Sequence, residues 1–186
     1  ISQLEDKLAQ LITSDSCIYF DAKSCIIDSK ITNLLSQYNP KSLQASLHEM
    51  RLIKEESEIL IMQKAANISS IAHTLAMAQV TPGMFEYELQ SVFDAHFVKN
   101  NTQHAYTPIV AGGKNACVLH YIENNQPLKS GDLVLIDAGC ELDYYASDIT
   151  RTFPVNGQFS EPQKQIYQIV LDAQLAAINS IKPGAD

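Results

Sequence analysis

Positive charge is scarce in this chain. Thirteen lysines and arginines stand against 21 aspartates and glutamates in 186 residues, a formal net charge of −8. A nucleic-acid partner wants a basic face, so that class is set aside. Long apolar runs are missing as well. None approaches the roughly 20 residues a helix needs to cross a bilayer, and no membrane partner is expected. The four cysteines, Cys17, Cys25, Cys117 and Cys140, form no CxxC pair, which removes the common zinc spacings. Their apolar neighbours predict buried free thiols, although sequence alone does not separate these from a disulfide pair. No signal peptide is visible, and the chain opens inside a helical pattern, so the true N-terminus is expected to lie upstream. Internal repeats and low-complexity tracts are also missing.

What is present is a globular composition, 46% hydrophobic and 18% charged, in a length that suits one large domain or one and a half ordinary ones. Ile1, Leu4, Leu8, Leu11 and Ile12 recur at helical spacing, and CIYFD (Cys17 to Asp21) reads as a short strand. A second helix carries Ile27, Ile31, Leu34 and Leu35 and is closed by Tyr38-Asn39-Pro40. Residues 42–51 read as a linker or an extended crossing. Beyond them, KEESEILIMQKAANISSIAHTLAMAQ forms a long helix with acids in its first turn, broken at Thr81-Pro82-Gly83. A further helix shows Leu89, Val92, Phe93, His96 and Phe97 on one face. Four strands are predicted after it: YTPIV, ACVLHYI, DLVLIDAG and DITRTFPV. The last helix starts at a capping box, Ser160-Glu161-Pro162-Gln163, and stops at Lys182-Pro183-Gly184. The layout is α+β, an antiparallel sheet with helices on one face.

Two acids call for explanation. Asp137 ends a buried-type strand, and Asp148 follows 11 positions later at the head of its partner. A hairpin centred between Leu142 and Asp143 puts them opposite each other. Like charges so placed repel by several tenths to about 1 kcal/mol on an exposed face. A shared proton or a bound cation resolves the conflict. The DTG-type loops of a proton-sharing aspartic protease are not found, and hard oxygen ligands suit Mn²⁺, Mg²⁺ or Ca²⁺. From spacing alone, an acid that merely ends a strand or balances Arg151 accounts for the pattern equally well.

The neighbourhood shifts the balance. His120 precedes Asp137 by 17 positions, and HYIENNQPLKSGDLVLIDAGCELDYYASDITRTFPVNG resembles the catalytic signature of the aminopeptidase P (Xaa-Pro aminopeptidase) family. That family belongs with prolidase, methionine aminopeptidase and creatinase in the pita-bread metallopeptidase superfamily. HEMRLIKEESEI and AQVTPGMFEYEL resemble the entry helices of the same domain. The resemblance implies the first half of a pita-bread fold over residues 54–186. A linker at 42–53 and the C-terminal remnant of an α/β N-terminal domain at 1–41 would precede it. It implies a cytoplasmic enzyme acting on peptides with proline second, with two divalent ions, Mn²⁺ foremost, while the apolar interface that half of such a fold leaves uncovered points to a homo-oligomer. Asp137 would chelate one ion and Asp148 bridge both, and a hydroxide held between the ions would attack the carbonyl preceding proline. His120 would be catalytic and substrate-contacting without being a ligand, steadying charge as the oxyanion forms, with a core histidine as the alternative. Tyr106 would lie near the substrate.

His48, His73, His96 and His104 read as structural, and Lys114, Arg151, Cys117 and Cys140 carry no strong functional case. The sequence also departs from the family pattern. Relatives complete the centre with a histidine and two glutamates further on. Here no histidine follows His120, and Glu161, Asp172 and Asp186 are the only acids after Asp148. The chain is therefore expected to be an incomplete, inactive part that binds metal weakly and leaves an apolar interface uncovered. A second departure is Leu142-Asp143-Tyr144, where relatives often carry glycine before the second tyrosine, which touches the shape of the turn. Prolidase, a non-catalytic pita-bread binding module and a metal-free creatinase-like hydrolase are the other readings. The retained aspartates disfavour the last two.

Overall fold

A computed structural model describes residues 2–13, 16–20 and 29–185. The chain divides into two compact units, Ile1–Glu55 and Glu56–Asp186. In the first, α1 (Ser2–Leu11), α2 (Ser29–Ser36) and α3 (Gln44–Leu52) are helical. The expected strand at Cys17 to Asp21 is realised as one parallel bridge between Tyr19 and Lys41, with Phe20 N–H donating to Lys41 O at 2.9 Å. Ile1, Asp21, Cys25 and Ile27 lie outside the described residues. Helix α2 gives way to a turn before Pro40, and Asn39 takes a left-handed conformation (φ 48°). The segment read as a linker or extended crossing is helical as α3, none of whose side chains is buried.

In the second unit α4 (Glu56–Gln79) presents Ala65, Ile68, Ser69, Ala72, His73 and Ala76 as its buried stripe. Most of these are small, so the helix axis can come close to the strands beneath it. The break at Thr81-Pro82-Gly83 is real, with Gly83 at φ 98°. Helix α5 (Glu86–Lys99) is capped by Glu88, which accepts Phe85 N–H at 2.7 Å, and it buries Glu86, Leu89, Phe93 and Phe97 at helical spacing.

Two antiparallel three-stranded sheets follow. One orders β2 (Ile109–Gly112), β3 (Leu133–Asp137) and β6 (Thr150–Pro154) as β2-β3-β6. The other orders β1 (Gln103–His104), β4 (Cys140–Leu142) and β5 (Tyr145–Ala146) as β1-β4-β5. Along β3, Val134 and Ile136 are fully buried in the core with Phe93 and Phe97, whereas Asp137 is half-buried on the alternate face. Pro108 has no N–H to give a ladder, and β2 starts only after it.

ACVLHYI does not form the expected strand. Gly113–Cys117 make a 3₁₀ turn, and Val118, Leu119 and Ile122 are exposed. Its apolar run is therefore not a burial pattern, and side chains rather than a neighbouring strand hold its backbone, as described below. The thiols also differ from expectation: Cys140 is buried, but Cys17 and Cys117 are exposed, and all three are free.

The last helix, α6 (Glu161–Ser180), opens with Ser160 N–H donating to Gln163 Oε1 at 2.8 Å, and buries none of its residues. Ile166, Tyr167 and Val170 face Leu133 and Thr152 across an apolar groove of about 720 Å³. No helix among the described residues is long and apolar enough to cross a membrane.

Candidate metal centre

Register decides where the two acids point. The hairpin turns one residue later than expected, on Asp143 and Tyr144, both left-handed (φ 48° and 69°). This is the geometry of a two-residue primed turn, a place that favours glycine. Asp137 therefore pairs with Thr150, not with Asp148. The slip amounts to two residues, and side chains alternate with period two, so Asp148 stays on the face of Asp137.

Close approach of the two arms is enforced at Gly139. A Cβ built there would lie 1.8 Å from Ser147 O, a backbone atom that cannot move aside. Ala138 N–H donates to Ile149 O at 3.1 Å and Ser147 N–H to Cys140 O at 2.8 Å, closing the arms on either side.

Tyr106 ties the acids together. Its hydroxyl lies 2.5 Å from Asp137 Oδ1 and 3.1 Å from Asp148 Oδ1. Two oxygens within reach of one hydroxyl can also share one cation. The phenol is pushed well above its usual range, first by burial and then by its bond to Asp137. Its proton thus stays in place as the donor between the carboxylates. Tyr106 is positioned by the Ala105 N–H, which donates to Gly139 O at 2.9 Å.

Helix α4 braces the hairpin from behind through three positions one turn apart. Cys140 Sγ donates to Ala65 O at 3.4 Å, Cys140 N–H to Ser69 Oγ at 2.9 Å, and His73 Nε2 to Ala138 O at 3.1 Å. Ser69 and Ser147 hydroxyls also meet at 2.8 Å. His73 is therefore a core histidine held by a carbonyl through Nε2, with its buried Nδ1 lacking a hydrogen-bond partner among the described residues, and it packs edge-on against Phe93. Burial lowers its pKa from 6.5, the bond to Ala138 opposing. His104 bonds Asp94 at 2.7 Å and packs on Phe97, and the Arg151 guanidinium donates to Thr150 O at 2.8 Å.

Of the expected site residues, Asp137, Asp148 and Tyr106 converge. His120 is exposed on the loop after the 3₁₀ turn, with a left-handed backbone (φ 55°), and makes no hydrogen bond to those three among the described residues. It is not a core histidine. Among the described residues no three His, Cys, Asp or Glu side chains come together as a metal cluster. Residues 61–186 match the sequence profile of metallopeptidase family M24.

The chain belongs to metallopeptidase family M24.

This M24 chain is 55% identical to a Xaa-Pro aminopeptidase of Haemophilus influenzae over 139 residues, 74% of the chain and 32% of that relative. To a Xaa-Pro aminopeptidase of Escherichia coli it is 48% identical over the same shares. It therefore spans about a third of the curated relatives it matches. Among solved structures, Pseudomonas aeruginosa aminopeptidase PepP superposes with a TM-score of 0.91 at 41% identity, over 99% of this chain and 45% of that one. An Escherichia coli aminopeptidase P in complex with substrate gives 0.91 at 38%, over 98% and 45%. The mixed helix and antiparallel-sheet architecture is thus the aminopeptidase P pita-bread fold, present in part, as the sequence implied.

Two features of the site leave no local mark in the sequence. The contacts of Tyr106 with Asp137 and Asp148 span 31 and 42 residues. Glu86, inside TPGMFEYEL, is indistinguishable by position from any acid that opens a helix and suits its dipole.

Proposed function

We propose that this chain is the first part of the catalytic domain of a metal-dependent Xaa-Pro aminopeptidase. Asp137 and Asp148 are its metal ligands, His120 the group that steadies charge on the substrate carbonyl, and Tyr106 a contact beside the substrate. One observation carries this: a single hydroxyl reaches both carboxylates. Acids held that close repel, and a divalent cation relieves the repulsion as no strand end requires.

The donor set fits. Both ligands are hard oxygens suited to Mn²⁺ or Mg²⁺, and we favour two ions, manganese foremost. A zinc-substituted relative is known among the solved structures of Escherichia coli aminopeptidase P. When bound, such metal neutralises the carboxylates and activates water at neutral pH. The chain's own residues do the rest. The Tyr106 proton keeps both carboxylates aimed at one point, and the exposed His120 imidazole is available to the carbonyl on which negative charge develops.

Two carboxylates do not fill a coordination sphere, so we take the 186-residue chain alone to be an incomplete, inactive part. Residues 54–186 would be the leading half of the catalytic domain, 42–53 a linker and 1–41 the tail of an N-terminal domain. We infer a homo-oligomer from the uncovered apolar residues of α6, and a cytoplasmic setting and peptide substrates with proline second from the family.

The test compares this chain with a longer polypeptide that contains it and has the length of the relatives. The longer form is expected to release the first residue of tripeptides with proline second, and to prefer them to Xaa-Pro dipeptides. The reverse preference would indicate prolidase. D137N and D148N should abolish turnover, and H120A should lower it by about 10²-fold. Undiminished hydrolysis by D148N defeats the assignment. The short chain should bind Mn²⁺ weakly in calorimetry, and tight binding would show that it needs no further ligands.

A further inference from the structure

We infer that Glu86 is the positioning residue for His120: a buried carboxylate on the first turn of α5 that fixes the backbone on both sides of that imidazole. The inference deepens the proposed function and rests on its assignment of His120.

Glu86 is fully buried, and no lysine or arginine pairs with it among the described residues. A buried carboxylate without a cation is costly unless hydrogen bonds replace its water. Here four do. Oε1 accepts Gly112 N–H at 2.8 Å and Asn115 Nδ2 at 3.0 Å. Oε2 accepts the Tyr121 hydroxyl at 2.7 Å and Gln126 N–H at 2.9 Å. The Glu86 N–H in turn donates to Gln126 O at 3.0 Å. With two donors on each oxygen the carboxylate is saturated.

The partners bracket His120 in the chain: Gly112 and Asn115 before it, Tyr121 and Gln126 after it. None of these bonds is needed to form α5, whose first turn is already capped by Glu88. What they organise is the stretch between Gly112, the last residue of β2, and the Phe85–Pro127 bridge, whose own backbone has no strand partner. Burial, and next the bond to Glu86, push the Tyr121 phenol up to about 12, so it remains a donor across the working pH range. One turn along α5, Gln90 Oε1 accepts Asn124 Nδ2 at 2.9 Å, and Asn124 Oδ1 accepts Val110 N–H at 2.9 Å. The loop is therefore pinned from one helix face and one strand.

His120 needs such pinning. Its left-handed backbone is uncommon for any residue but glycine, and persists where the surroundings over-determine it. The side chain itself is exposed, with Val118, Leu119 and Ile122 exposed around it. An exposed imidazole thus hangs on a backbone that a buried carboxylate holds in place.

The test reads geometry, not turnover, on the 186-residue chain, with E86Q, E86D and Y121F. Glutamine keeps the shape but turns one acceptor into a donor facing donors. In folded E86Q the His120 ring resonances are expected to move and broaden, and amide exchange at Gly112 and Gln126 to rise by about tenfold or more. The His73 ring, under the aspartate hairpin, should not move. E86D keeps the charge and should restore part of the His120 signal. A lowered melting point in E86Q with His120 unmoved would show that Glu86 is only a core group. If E86Q fails to fold, Y121F, which removes one of the four donors and keeps the ring, gives the answer. A displaced His120 signal supports the inference, and an unmoved one in folded Y121F overturns it. Should H120A leave turnover of the longer enzyme unchanged, the role of His120 falls while its coupling to Glu86 stands.

Discussion

The hairpin that carries Asp137 and Asp148 and the loop that carries His120 are positioned by different physical means. In the hairpin the backbone sets the geometry: paired strands, a two-residue turn and a crossing so tight that residue 139 must lack a side chain. In the loop the backbone has no ladder, and buried side chains of α5 stand in for one. Backbone ladders tolerate most side-chain exchange but not a change of shape. Side-chain networks are the reverse, sensitive to a single atom of one carboxylate.

The largest test of that contrast is G139A. The added methyl meets a carbonyl oxygen at 1.8 Å, so the hairpin must open, at a cost of about 3 kcal/mol or more in urea denaturation. Stability close to wild type would mean that the arms are not held by that crossing. Y106F comes next. Losing a hydroxyl bonded to two carboxylates should cost about 2 kcal/mol, and an unchanged midpoint would show that the acids are kept together without it.

His73 makes a pH test of the brace behind the hairpin. Its folded pKa lies below 6.5, so below that pH the unfolded chain takes up a proton that the folded one refuses. Its contribution is complete above pH 6.5 and is lost as pH falls toward the folded value, with a slope approaching about 1.4 kcal/mol per pH unit. H73Q should flatten this part of the profile, and a slope that survives belongs to other groups. The smallest effect is expected at the turn. Y144G relieves a left-handed tyrosine that is 94% exposed and should stabilise the chain by about 1 kcal/mol. A loss instead would mean that the Tyr144 ring makes contacts of its own.

The same contrast explains what could be read beforehand. Strands β3 and β6 and their shared face follow from alternating Val134, Ile136 and the acids at their ends, since periodicity is written locally. The turn lies one residue beyond its expected place because Tyr144 occupies a left-handed site that a glycine would mark. ACVLHYI reads as a strand because its residues have strand propensity, and propensity says nothing of the Glu86 carboxylate, which claims the Gly112 N–H across 26 residues. The Tyr106 bridge is likewise a contact between segments distant in sequence, for which one chain offers no pattern. In the first unit, α3 shows that a polar stretch between two periodic segments can still be helical when nothing in it breaks a helix.

Helix α6 has one practical outcome. A helix of 20 residues with no buried side chain draws little from its own backbone in water. Its persistence is governed by whatever encloses Ile166, Ile169 and Val170. Melting of this polypeptide should then proceed in two steps, the early one moving upward with protein concentration through mass action. A single midpoint taken at one dilution would describe neither step.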